Sequence, residues 1–225
     1  MRRGASALLW GLGFWLLAYP SWAEDDFQIW KTLEMKKRLG GTWELFFRPE
    51  IRIRDDASEL FYHEYRQGVR FKPSKHLVLG LNYLFARNKG ASGKTLDEHA
   101  GEFDYTPQGS WGRFNLSMRG RVAIRTLQRS AGEQEFQLRF MPKIAYPTRI
   151  GSRKVAPYLA EDLFYDYSRD AWNQHRFFVG AAFPLGKRMG AEFELDAYYM
   201  AQGQRSARKD WNTNHTLGTR LSVQW

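Results

Sequence analysis

The chain has no cysteine among its 225 residues. That excludes a disulfide framework, a thiol nucleophile and a cysteine metal site. It also excludes anchoring through a lipidated cysteine. The five histidines, His63, His76, His99, His175 and His215, never fall at metal-ligand spacing, so no metal is expected. After the first two dozen residues, no stretch approaches the roughly 20 apolar residues that a spanning helix needs. Mean hydropathy is −0.58 and charged residues make up 26% of the chain, which excludes a helical membrane protein. Aromatics are 16%, with nine tryptophans, and so much large apolar surface excludes a disordered chain. Catalytic motifs are also scarce. In "NKGASGKT" (88–95), Asn88 stands where a phosphate loop needs its first glycine, and no helix pattern follows. "GSWG" is not a nucleophile elbow. No cofactor is expected, and nothing marks the chain as an enzyme.

The start, "MRRGASALLWGLGFWLLAYPSWA", has the three parts of a secretory signal peptide. Arg2 and Arg3 form a positive head, Ala5 to Leu17 a short apolar run, and Ser21-Trp22-Ala23 a small-residue cleavage site after Pro20. The expected division is a signal peptide over 1–23 and an outer-membrane β-barrel domain over 24–225. Loss of the two arginines lowers the net charge from +10 to +8.

The rest of the chain alternates. In the last stretch, "HTLGTRLSVQW", one parity holds His215, Leu217, Thr219, Leu221, Val223 and Trp225, and the other Thr216, Gly218, Arg220, Ser222 and Gln224. A period of two means a strand with one apolar and one polar face. Eleven such segments fall near 27–38, 42–54, 60–72, 76–88, 98–107, 111–126, 134–146, 155–167, 175–186, 190–201 and 214–225. Most reach the ~10 residues that a tilted strand needs to cross a bilayer, about twice the usual soluble strand. A soluble β-sandwich could share the alternation. Two features argue against it: the polar parity is densely charged with both signs, and aromatics gather near segment ends. Trp30, Trp43, Phe71, Tyr83, Phe85, Tyr105, Trp111, Tyr146, Tyr167, Trp172, Tyr199, Trp211 and Trp225 would form two interfacial girdles.

The expected fold is therefore all-β, an antiparallel up-and-down transmembrane barrel of 10–12 strands in a bacterial outer membrane. Short connections near 39–41, 73–75, 108–110, 147–154 and 187–189 alternate with longer ones near 55–59, 89–97, 127–133, 168–174 and 202–213. This matches short periplasmic turns and longer outer loops. Eleven is an odd count, whereas bacterial single-chain barrels are even. Either 27–38 lies inside a ten-stranded barrel, or a twelfth strand is hidden.

Several stretches together resemble one family. "WKTLEMKKRLGGTWELFFRPEIRIRDD", "YRQGVRFKPSKHLVLGLNYLFAR", "FNLSMRGRVAIR", "FQLRFMPKIAYP", "APYLAEDLFYD", "HRFFVGAAFPLGKRMGAEFELDAYYM" and "NHTLGTRLSVQW" are similar to the outer-membrane family catalogued as domain of unknown function 2490. The resemblance covers nearly all of the chain after residue 23. One departure is Asp162, where such proteins usually carry a glutamate before "LFY". The resemblance implies a fold and a compartment, and no activity. A terminal aromatic on an alternating strand also resembles the signal read by the barrel-insertion machinery, which makes Trp225 both membrane anchor and targeting residue.

Chemistry would sit on the polar parity. It carries twelve arginines and eleven acids, and this near balance favours a cross-linked lumen over a wide anion pore. Lumen candidates for anion binding are Glu44, Arg48, Glu64, Arg66, Arg113, Arg119, Arg121, Arg125 and Arg139. The segment from Arg113 to Arg125 has four arginines and no acid of its own. The short turns carry Lys36, Lys37, Arg38, Lys72, Lys75, Arg149, Arg153, Lys154, Lys187 and Arg188 without an acid, a basic collar suited to anionic lipid headgroups or an acidic partner. Nucleic acid is not an expected partner in that compartment. The expected function is passage or binding of a small polar or anionic solute, or a structural part in the envelope. The alternative is a lipid hydrolase of the outer rim, drawing on His99 or His175 with Ser168 or Ser206.

Overall fold

A period of two held over a dozen residues commits the backbone to long strands, and long strands must find partners on both sides or expose an edge. The computed structural model of the chain describes residues 26–90, 92–128, 134–168, 170–205 and 211–225. The signal peptide expected over 1–23 and Ser206 lie outside the described residues. The strands are β1 (Asp26–Leu39), β2 (Trp43–Arg54), β3 (Glu59–Ser74), β4 (Leu77–Lys89), β5 (Thr95–Trp111), β6 (Phe114–Leu127), β7 (Gln134–Ala145), β8 (Thr148–Ile150), β9 (Arg153–Asp166), β10 (Ala171–Arg188), β11 (Ala191–Arg205) and β12 (Trp211–Gln224). The three-residue β8 folds back on the start of β9. The other eleven close into one barrel, in chain order, with β7 beside β9 and β12 beside β1.

The closure corrects two expectations. The barrel has eleven long strands, neither ten nor twelve, and β1 is part of the wall instead of lying in the lumen. Nor is it antiparallel throughout: β1 pairs with β12 in parallel, from Asp26↔Asn214 to Lys36↔Gln224. A parallel ladder satisfies the backbone nearly as well as an antiparallel one, so an odd count can still close. The seam is finished at its lower end. The Arg38 amide donates to the Trp225 carbonyl at 2.9 Å, and the Trp225 amide to the Lys36 carbonyl at 3.1 Å.

Six prolines sit within the strands, and at three of them one ladder is interrupted with its register kept. The β1–β2 register steps from Thr32↔Glu50 to Met35↔Phe47 across Pro49. That of β5–β6 steps from Tyr105↔Gly120 to Gln108↔Ser117 across Pro107. That of β7–β9 steps from Phe140↔Leu163 to Lys143↔Ala160 across Pro142. Proline has no N–H to give, so the ladder is interrupted where it stands.

Connections alternate as expected. One rim carries the tight links at 40–42, 75–76, 112–113 and 189–190 together with the β8 hairpin; at the other rim β2, β4, β6, β9 and β11 finish and the next long strands begin. These are called the turn rim and the loop rim. At 189–190 both residues adopt positive φ, 51° for Met189 and 78° for Gly190, as a two-residue hairpin of matching twist requires.

The barrel is inside out relative to a soluble core. Outward residues such as Leu81, Phe103, Val122, Phe136, Leu159 and Leu217 are broadly exposed, whereas Glu44, Glu64, Arg121, Asp162 and Thr216 are buried. The last strand follows the sequence reading: Leu217, Thr219, Leu221 and Trp225 are exposed, and Thr216, Gly218 and Ser222 are buried. Most of the expected girdle is also outward, with Trp43 against Phe71 at the turn rim and Tyr165 against Trp172 at the loop rim. Trp30 is the exception. It is only 4% exposed and points into the lumen. The correction has a simple cause: an aromatic near a strand end satisfies either a girdle or a cation-rich interior.

Inward glycines make room for large rings. A Cβ on Gly218 would lie 2.0 Å from the Tyr198 ring, and one on Gly180 would lie 2.6 Å from the Tyr158 ring. Both tyrosines thus lie flat along the wall. Gly218→Val is expected to destabilise the barrel by about 1–3 kcal/mol through overpacking, read as a lower urea midpoint in detergent. An unchanged midpoint would contradict this packing.

Candidate functional site

Inward parity brings one side chain from every second residue of each strand into a narrow lumen. Charged groups placed there must pair or be neutralised. Near the turn rim, Glu44 of β2 accepts from Arg70 (3.0 Å), Lys72 (2.7 Å) and Gln224 (2.7 Å). Arg70 also reaches Glu34 of β1 at 2.7 Å.

At mid-height a chain of ion pairs crosses four strands. Arg48 lies 3.5 Å from Glu64, Arg66 bridges Glu64 at 3.4 Å to Glu102 at 3.1 Å, and Arg121 binds Glu102 at 2.9 Å. Arg121 also grips Asp104 with two hydrogen bonds, 2.6 and 2.8 Å, while Asn82 donates to the same carboxylate at 3.0 Å. Across the lumen Asp162 holds Arg139 and, at 3.4 Å, Arg119.

Above this belt the arginines alternate with aromatic rings. The Arg52 guanidinium lies between Trp30 (3.7 Å) and Tyr62 (3.9 Å). Arg176 lies near both Trp30 (4.9 Å) and Phe164 (4.8 Å), and Arg139 also lies over the Phe164 ring at 4.2 Å. This row runs from β3 through β2 to β1, reaches past β12 and β11 to β10 through the Trp30–Arg176 contact, and ends through β9 at β7. Each contact holds a cation over the negative face of a ring.

Two cavities lie against these groups. The larger, about 700 Å³, includes Asp26, Asn88 and Gly90 in its lining and so reaches the loop rim. The smaller, about 400 Å³, includes Lys36, Lys72 and Gln224 and reaches the turn rim. Arg48, Arg66, Thr106 and Arg119 line both, so they stand at the partition. The Nε atoms of Arg48 and Arg119 are buried there without a hydrogen-bond partner.

Of the residues expected in the lumen, Glu44, Arg48, Glu64, Arg66, Arg119, Arg121 and Arg139 are brought together, and Arg125 pairs with Glu98 at 2.7 Å nearer the loop rim. Arg113 is a correction. It is exposed in the turn at 112–113 and donates outward to the Tyr146 hydroxyl at 3.4 Å, because β6 starts only at Phe114. Its alternation continues into the turn, where parity no longer sets a face.

The basic rim needs correcting too. Lys36 and Lys72 point inward, within 3.5 Å of Glu34 and 2.7 Å of Glu44. Arg38 and Lys187 share Glu192, at 3.6 and 2.9 Å, so the collar does contain an acid. Lys37, Arg153, Lys154 and Arg188 are exposed at the turn rim, as is Trp225 at 49%.

Residues expected of a hydrolase have other partners. The His99 ring meets the Tyr83 hydroxyl at 2.6 Å, and the Ser168 hydroxyl donates to Asp166 at 2.7 Å. His175 faces Trp211 and lies 4.0 Å from Glu161.

Sequence reasoning missed Trp30, Tyr62 and Phe164 as partners of the arginines. A signal was present: Phe46, Tyr62, Tyr158 and Tyr198 share the parity of charged neighbours.

No curated protein matches the chain. A family model described as "Protein of unknown function (DUF2490)" matches residues 27–213, and the chain belongs to that family.

Proposed function

We propose that the chain is a non-enzymatic barrel of the bacterial outer membrane, exported behind a cleaved signal peptide, that passes or binds a small anionic solute. The wide apolar outer surface supports a lipid setting, since such a surface cannot stay in water without associating. A closed sheet without edges suits a bilayer. In this setting the turn rim is periplasmic, its exposed lysines and arginines meet anionic headgroups, and β12 with Trp225 engages the insertion machinery.

The observation that carries the solute reading is the pair of cavities, one reaching each rim, meeting at Arg48, Arg66 and Arg119. Arg48 and Arg119 hold their carboxylates at only 3.5 and 3.4 Å, long for charge-assisted bonds. An anion entering from either side can displace these contacts and take over the guanidiniums. Arg121 stays fixed by its bidentate grip on Asp104.

The test is the reversal potential of the refolded protein in a planar bilayer under a potassium chloride gradient. Anion preference is expected, because cations line the partition. A cation preference, or silence from a barrel shown to be folded, would sink the passage reading. No observation favours the hydrolase.

A further inference from the structure

The loop-side cavity is not electrically neutral. Its lining contains ten cationic and seven acidic side chains, an excess of three. Seven of those cations have a carboxylate oxygen within 4.0 Å. The other three, Lys143, Arg176 and Arg220, have no ion pair among the described residues, and all come from one side of the barrel (β7, β10 and β12).

Lys143 and Arg176 are positioned without an ion pair, while Arg220 stands opposite Asp196 in the β11–β12 ladder and feels its charge and that of Glu34. The Lys143 ammonium lies 3.6 Å above the Tyr158 ring. Arg176 lies near both Trp30 and Phe164, and its Nε donates to the Gln202 amide oxygen at 2.8 Å. The Nε of Arg220 is buried with no hydrogen-bond partner. Aromatic faces and amide oxygens fix a cation's place, yet they carry no full negative charge. Of the lining acids on this side, Asp162 is taken up by ion pairs, and Asp196 alone is left to offset the three cations. Asp196 accepts the Tyr158 hydroxyl at 2.9 Å, and Asp162 is shared by Arg119 and Arg139. Tyr158 and Tyr198, laid flat over Gly180 and Gly218, keep this wall thin and the space in front of it open.

We infer that the loop-side cavity binds a small oxyanion with two or three negative charges, seated against Lys143, Arg176 and Arg220. This rests on the reading that the lumen handles anions, and it names the class and the seat. A cavity of about 700 Å³ holds such a molecule, within the roughly 300–1,000 Å³ usual for ligand sites. The aromatic faces are already covered by guanidiniums, so the ligand is recognised by its charge and not by stacking.

The experiment is calorimetric titration of the refolded barrel in neutral detergent with citrate and with inorganic pyrophosphate, using acetate as the singly charged comparison. Saturable binding of citrate or pyrophosphate is expected, at least about tenfold tighter than acetate and weaker at high salt. The tighter of the two distinguishes a carboxylate ligand from a phosphate one. Arg176→Gln and Arg220→Gln should each weaken binding about tenfold, while Lys94→Gln, in an exposed loop, should not. Retained strand circular dichroism shows that the variants fold. Absence of saturable binding to both probes, or binding that survives the double variant, overturns the inference. The bilayer result is separate: a silent bilayer with intact citrate binding sinks passage and leaves the site, whereas conductance without binding sinks the site alone.

Discussion

Replacing Arg121 with alanine is expected to destabilise the barrel by about 3–5 kcal/mol, the range for removing one partner of a buried ion pair. Its side chain is 2% exposed, and it serves Glu102 at 2.9 Å and Asp104 at 2.6 Å. Truncation leaves two neighbouring carboxylates in the mid-lumen, with Arg66 bonded to Glu102 and only the neutral Asn82 amide bonded to Asp104. Equilibrium urea unfolding in detergent checks the size of the loss. The triple variant Arg121→Met, Glu102→Gln, Asp104→Asn separates pairing from packing. If charge stranding is the cause, the triple variant recovers much of the lost stability, since a buried pair replaced as a whole is often near neutral. A single variant as stable as the parent would mean that water reaches these carboxylates freely.

The second large effect is expected at the partition. Arg48→Ala combined with Arg119→Ala should join the two cavities and raise single-channel conductance severalfold in a planar bilayer. Loss of Arg119 should widen the path, because its side chain stands between the two cavities. The double variant should also lose anion preference, since two of the three arginines at the partition are gone. Arg121→Ala makes a useful contrast. Arg121 lines the turn-side cavity alone, so its loss should lower stability with little gain in current. Equal conductance in the parent and the double variant would remove these arginines from the path.

The barrel was legible because the two-residue period is a strong and repeated signal. Trp43, Leu45 and Ile51 face out while Glu44, Arg48 and Glu50 face in, as their alternation implies. Connection lengths also carried through, since a two-residue link at 189–190 and a longer one at 55–58 follow from where the alternation stops. The eleven alternating segments became the eleven long strands, but the way an odd count closes was not legible. The side chains of β1 alternate alike whether its neighbour runs parallel or antiparallel, and direction is decided by backbone pairing alone. Parity also fails where strands end, which is why Arg113 was misplaced and why Lys36 and Lys72 looked like rim residues. The arginine–aromatic row was hidden for another reason. Tyr62, Trp30 and Phe164 are far apart in sequence, and only closure of the barrel brings the inward side chains of β3, β2 and β1 within reach of those of β10 and β9, with β11 and β12 between them in the wall.

The parallel seam reaches beyond the wall itself. In a barrel with an even number of strands the first and last strands start and finish on the same side, and a short linker can rejoin them in a circular permutation. Here Asp26 is level with Asn214 and Lys36 with Gln224, so β1 begins at the loop rim while β12 finishes at the turn rim. A peptide joining those two points would have to travel the full height of the barrel. By the same geometry, a fluorophore placed at the start of β1 and another at Trp225 are held on opposite faces of any layer the barrel crosses. A membrane-impermeant quencher would reach them one side at a time, which gives a direct reading of orientation.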